Sequence, residues 1–187
     1  MIKLKGDKPI LYVGTHVDDS MTIGKIEDIN EMIKHMEKEG LTTKCEELKE
    51  YLGCNVVFSE DRKKAWLGQT ETVKKLEREF GEDVKKLRTY TVAGTPGIGI
   101  LRPKSEDERV NEKDQSRYRS GVGMLLWIMK CTRPDISNAV RELTKVMDGA
   151  TEEAMKEMFR VIKFVLDTRN IGLKIEPKIP EDYLKTI

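Results

Sequence analysis

Apolar and polar positions fall along this chain in blocks, and the period of each block assigns an element. Residues 10–24, ILYVGTHVDDSMTIG, hold an apolar run, a polar break at Val17-Asp18-Asp19-Ser20 and a second short run through Met21 and Ile23. That pattern predicts a two-stranded hairpin with acidic residues at its tip. Ile26, Ile29, Met32, Ile33 and Met36 then recur at intervals of three and four, which places them on one face of a helix that covers a sheet. Gly40 ends this helix as a left-handed cap would, and His35 and Met36 read as surface and core. From Leu41 the pattern is extended. Residues 51–58 and 64–68, rich in aromatic and β-branched side chains and separated by a polar link of about five residues, predict a second hairpin.

The rest of the pattern is helical. Thr70 can cap a helix whose Val73, Leu76 and Phe80 form a narrow stripe before Gly81 stops it. Residues 82–112 contain Gly94, Pro96, Gly97, Gly99 and Pro103 and no sustained period, so they form a long connection with a short extended piece at 90–92. A loop of that length implies a lobe boundary or mobility. Tyr118, Val122, Leu125 and Met129 repeat correctly, and Met124, Leu126, Trp127 and Ile128 fill the other faces, so this helix should be buried nearly all round. Gly121 and Gly123, each costing about 1 kcal/mol relative to Ala, mark close approach of a neighbouring helix. Thr132 with Asp135 is a capping-box spacing with Pro134 in the first turn, which assigns Asp135 to a helix start rather than to catalysis. Ile136, Ala139, Val140, Leu143, Val146 and Met147 make the next stripe, and Met155, Met158, Ile162 and Val165 the last. Three amphipathic helices with short links make a bundle, and the fold class is α+β.

Composition narrows the setting. A chain of 187 residues suffices for one core or two small lobes, and no apolar run approaches the ~20 residues that span a membrane, so no membrane partner is expected. Met1-Ile2-Lys3-Leu4 does not read as a secretory leader and looks like the start of a fragment. Cys45, Cys54 and Cys131 show neither metal spacing nor an even disulfide set, which points to a reducing, intracellular compartment; with two histidines a zinc site is not expected. The formal charge is +1. Residues 61–90, however, carry nine Lys or Arg against six Asp or Glu, with clusters at Arg62-Lys63-Lys64, Lys74-Lys75 and Lys85-Lys86. Such a strip is either a solvated helix face laced with opposite charges or a track for a phosphate backbone.

Adjacent aspartates in a bend are, on composition alone, ordinarily turn formers. At the end of a sheet they are also a rigid mount for divalent ions, because Mg²⁺ takes oxygen ligands and keeps several of its waters. Both readings of Asp18 and Asp19 stand at this level.

The order of THVDDSMTIG, ELKEYLGCNVVF, LGQTETVKKLEREFG, GTP, YRSGVGMLLWIMKCTRPDISNAV and TRNIGL resembles the reverse transcriptase region of copia-type LTR retrotransposon Pol polyproteins, from about Leu11 to Leu173. Its most specific piece is Tyr118-Arg119-Ser120 followed by Thr132-Arg133-Pro134-Asp135-Ile136. The resemblance implies the later part of a palm in residues 1–69, with a catalytic hairpin, a covering helix and a second hairpin. It implies a helical thumb in residues 70–173 and the start of a connection region in 174–187. Asp18 and Asp19 match the family's Tyr-Val-Asp-Asp box, with His16 in the tyrosine place and Val17 in the valine place. Asp18 is then the metal ligand with Asp19 beside it, and Mg²⁺ or Mn²⁺ serves two-metal nucleotidyl transfer in the complete enzyme. Trp66, Leu67, Gly68 and Gln69 fall where the family grips the primer end, although Trp66 reads equally as a cover for the sheet. His16, Val17, Lys74 and Lys75 join them as implied primer or nucleic-acid contacts. The implied partners are an RNA template, a DNA primer and deoxynucleoside triphosphates, in the cytoplasm, a virus-like particle or the nucleus. The family's fingers and first carboxylate strand have no counterpart here, so the isolated chain is expected to be inactive, with an unpaired sheet edge that invites self-association. The alternative from another class is a non-catalytic relic that binds nucleic acid or protein.

Overall fold

The computed structural model describes residues 2–176, which divide at Leu52/Gly53 into two compact units. From residue 177 onward, the connection region expected at 174–187 lies outside the described residues. In the first unit, β1 (Ile2–Lys5), β2 (Lys8–His16) and β3 (Asp19–Gly24) form an antiparallel sheet in that order, linked by two-residue turns at Gly6-Asp7 and Val17-Asp18. The register sets Lys3, Leu11 and Gly24 in one row and Ile2, Tyr12 and Ile23 in the next, and successive residues of a strand point to opposite faces. Helix α1 (Ile26–Lys38) lies on the first face, over the buried Leu11 and Val13, where Lys3 Nζ donates to Glu31 Oε2 at 3.0 Å. A Cβ on Gly24 would stand 2.6 Å from Leu11 Cδ1 and 2.9 Å from the Ile10 carbonyl, so β3 can close against β2 only with glycine there. Gly40 ends α1 at φ +81°, with its N–H donating to Glu37 O and that of Leu41 to Met36 O. Ile29, Met32, Ile33 and Met36 are half-buried as the stripe predicts, but Ile26 is exposed, because the chain is only entering the helix there. A short strand, β4 (Glu50–Tyr51), comes near the end of this unit.

The second unit contains β5 (Cys54–Phe58), β6 (Ala65–Gly68), α2 (Thr70–Val84), α3 (Glu112–Cys131), α4 (Ser137–Thr144), α5 (Glu152–Asp167) and β7 (Leu173–Ile175). The β5–β6 hairpin forms as expected, and β7 adds antiparallel to β6. One core collects the fully buried Leu76 and Phe80 of α2, Tyr118, Val122, Leu125 and Ile128 of α3, Val140 and Leu143 of α4, and Met158, Val161, Ile162 and Val165 of α5. Among the described residues the bundle therefore has four helices, because α2 shares the core of the three expected. The second hairpin goes with the helices because β7, which follows α5, pairs with β6, and Gln69 between β6 and α2 is bonded to the end of α3.

Several local expectations are corrected. Gly81 does not stop α2, since Phe80 and Val84 extend the buried stripe by a turn. Thr70 is the first helical residue, not the cap; its N–H donates to Asn55 Oδ1 at 3.0 Å. Thr132 and Asp135 form no capping box: α3 ends at Thr132, and a 3₁₀ turn at Pro134–Ile136 leads into α4 without a side-chain cap. The real caps are Asn111, whose Oδ1 accepts from Asp114 N at 3.0 Å, and Thr151, whose Oγ1 accepts from Ala154 N at 3.2 Å. Residues 85–111 are irregular apart from a 3₁₀ turn at Glu106–Glu108 and an isolated antiparallel bridge of Arg109 to Thr151, with no strand at 90–92, yet they pack closely. Arg160 on α5 stacks 4.2 Å from the Tyr90 ring and donates to the carbonyls of Val92, Ala93 and Gly94, and Glu157 accepts from Thr95 N and Oγ1. Ala93 and Ile100 are buried in the core, so this segment is a strap over α5 and not a lobe boundary.

Candidate metal and nucleic-acid site

The hairpin tip follows from its turn. His16 pairs with Asp19 across the two-residue loop, so Val17 and Asp18 must reverse the chain alone, and Val17 adopts φ +51°. Positive φ is unfavourable for a β-branched side chain, which makes this a strained turn. Val17 is 81% exposed, and His16, Asp18 and Asp19 are exposed with it. Thr15 and Ser20 share a hydroxyl hydrogen bond at 3.0 Å one step below. The tip thus carries two adjacent carboxylates, open to solvent.

Hard oxygen donors suit Mg²⁺ or Mn²⁺, but two carboxylates leave most of the coordination to water. Among the described residues no group of three His, Cys, Asp or Glu side chains could hold a metal ion. Asp7, the acid nearest before the hairpin, lies in the turn at the other end of β2, about 30 Å away along an extended strand. The tip by itself therefore supplies two exposed carboxylates and no third ligand among the described residues.

The remaining candidates belong to the second unit. Trp66, 41% exposed on β6, lies in register between Val57 and Lys174, beside an open Gly68 at which a Cβ would meet nothing within 4 Å. Leu67 is half-buried. Gln69 is buried, and its amide is spent inside the fold: the NH₂ donates to Thr132 Oγ1 at 2.8 Å and Ile128 O at 3.2 Å, and Oε1 accepts from Trp127 Nε1 at 2.9 Å. Its role is to join β6 to α3. Lys74 is paired with Glu71 at 2.7 Å, whereas Lys75 is exposed with no ion pair among the described residues. Elsewhere on the basic strip, Lys64 pairs with Glu176, Lys85 with Glu82, and Arg88 stacks on Tyr90. Ion pairs therefore balance Lys64, Lys74 and Lys85, and on α2 the exposed Lys75 and Arg78 have no ion pair among the described residues.

The motifs with the most distinctive spacing are structural. Buried Tyr118 donates its hydroxyl to Leu143 O at 2.8 Å, and burial pushes its phenol well above the usual tyrosine range. Arg119 donates to Met147 O and Ser120 to Glu79. Arg133, almost fully buried, forks onto Asp135, donates to Thr168 O and Oγ1, and stacks on Phe164. YRS and TRPD fasten helices together. The Arg160–Glu157 clamp was missed from sequence; its only trace is a pair of charges beside the apolar stripe of α5.

The chain matches no family model and no solved structure. Over a 163-residue alignment covering 81% of the chain, it is 26% identical to the retrovirus-related Pol polyprotein from transposon TNT 1-94 of Nicotiana tabacum. Over 60 residues, 32% of the chain, it is 38% identical to the retrovirus-related Pol polyprotein from transposon RE1 of Arabidopsis thaliana. It spans 11% and 4% of those proteins. The chain is similar to a region of retrotransposon Pol polyproteins, and among its described residues no helix is long and apolar enough to cross a membrane.

Proposed function

We propose that this chain is the catalytic-hairpin and thumb portion of a copia-type reverse transcriptase, one part of an RNA-directed DNA polymerase. The observation that carries the reading is the strained, solvent-open turn that presents Asp18 and Asp19 together at the end of a sheet. In the complete enzyme Asp18 would hold a divalent ion with Asp19 beside it, and two such ions steady the attacking and leaving oxygens of nucleotide addition. The chain's own residues position: the β2–β3 hairpin fixes the carboxylates, Trp66 and Gly68 offer a flat surface to a primer end, and Lys75 and Arg78 meet backbone phosphates. His16, in place of the family's tyrosine, keeps a planar ring at the tip with different hydrogen bonding.

The test in the isolated chain is broadening of backbone amide resonances by Mn²⁺. Broadening centred on residues 17–20 at roughly millimolar ion, and lost in Asp18→Asn, is expected for a partial carboxylate site. Broadening elsewhere, or none, contradicts it. The smallness of the donor set favours a second reading, a non-catalytic relic that keeps the nucleic-acid contacts.

A further inference from the structure

We propose that this chain forms a two-fold dimer through antiparallel pairing of β3 with β3 of a second copy. The two edges of the first sheet are unlike. β1 carries Lys3 and Lys5 and a break in register between Lys3 and Leu4, the devices that blunt an edge. The edge strand β3 reads Ser20-Met21-Thr22-Ile23-Gly24 after its first residue, a regular, uncharged run with no bulge and no proline.

The turn decides which backbone groups are available. Across a two-residue loop the flanking residues His16 and Asp19 exchange both ladder bonds, and so do Gly14 with Met21 and Tyr12 with Ile23. Ser20, Thr22 and Gly24 therefore direct N–H and C=O away from β2. The 3.0 Å Thr15–Ser20 hydroxyl contact fits the closer side chains of the intervening pairs.

Charge then selects a register. Setting Thr22 opposite Thr22 of the second copy on the two-fold axis places Ser20 opposite Gly24, Met21 opposite Ile23, and Asp19 opposite Lys25. Lys25 is exposed with extended backbone, φ −69° and ψ 147°, so it continues the strand by one residue. Symmetry makes this two Asp–Lys pairs. Ile23, 59% exposed on the face that α1 leaves bare, gains Met21 of the second copy. Sliding the register until Met21 faces itself puts Asp19 opposite Ile23 and loses both charge pairs.

Sedimentation equilibrium of the 187-residue chain tests this. The wild type is expected to show a reversible monomer–dimer equilibrium. Thr22→Pro, which removes an outward N–H and leaves the β2 ladder intact, and Lys25→Glu, which sets like charges opposite each other, should each weaken it about tenfold or more. The charge-swapped Asp19→Lys, Lys25→Glu protein should regain wild-type association. Circular dichroism and thermal unfolding confirm that the variants fold, and Lys25→Glu, at an exposed position, serves if Thr22→Pro does not. A wild type that stays monomeric, or a swap that fails to restore the dimer, overturns the proposal. So does a dimer indifferent to both single changes, which would place the contact on the bare face of Ile2, Tyr12 and Ile23. The readout is mass, so this stands or falls apart from the catalytic reading.

Discussion

Gly121 and Gly123, two residues apart on α3, do different things. A Cβ on Gly121 would lie 2.6 Å from Met158 Sδ and 3.1 Å from Phe80 Cζ, whereas one on Gly123 meets nothing within 4 Å. Gly121→Ala is therefore expected to destabilise by about 1–2 kcal/mol through overpacking, and Gly123→Ala to stabilise by about 0.5–1 kcal/mol through helix propensity. Urea unfolding of the two variants reads the difference in sign. Tyr118 adds a pH effect. Its folded phenol is held neutral above the usual value of about 10, so the unfolded chain releases that proton first. Stability from this group is full below about pH 10 and is lost as the pH rises from there towards the folded value. Tyr118→Phe should lose about 1 kcal/mol at neutral pH with the Leu143 bond and flatten part of the alkaline decline; thermal melts from pH 8 to 11 check both. At this scale the sequence was legible where a residue acts on its neighbours, as at the 17–18 turn and Gly40. It was not where a partner is remote: Gln69 bonds to Thr132 and Arg160 to Val92–Gly94, separations of some sixty residues that no local period encodes.

Among elements, the amphipathic periods of α1 and α5 read directly, because one buried stripe leaves a three-and-four repeat. Boundaries did not. Gly81 looks like a stop, but the i, i+4 partner Val84 buries a further turn at more benefit than one glycine costs. The surface of α3 was misread as buried, since Trp127 packs with one edge and leaves 42% of itself exposed. α2 carries the proposed nucleic-acid surface. Binding of the chain to an RNA–DNA hybrid should fall steeply with salt and show little sequence preference. Lys75→Glu should weaken it and lower the salt slope by about one for each phosphate that is no longer neutralised. Lys74→Glu should do less, because Glu71 already balances Lys74. Filter binding across salt concentrations distinguishes this from a merely solvated face, for which both variants bind like the wild type.

At the scale of the molecule, the α+β class was legible and the pairing that ties the second hairpin to the strand after α5 was not, because that strand, β7, is three residues long and carries no period of its own. The chain offers a positioned carboxylate pair and a packed helical bundle, and it spans a small part of the polyproteins it resembles. On the proposed reading the chain alone should give no primer extension, because two carboxylates leave a divalent ion mostly hydrated and metal and substrate positioning each supply several kcal/mol to the transition state. The direct test is to exchange this chain for the matching region of the tobacco Pol polyprotein and assay primer extension on an RNA template with Mg²⁺. Extension by the chimera that disappears in Asp18→Asn is the result expected of a catalytic hairpin. Extension that survives Asp18→Asn contradicts it, as does a folded chimera that binds the RNA–DNA hybrid without extending the primer.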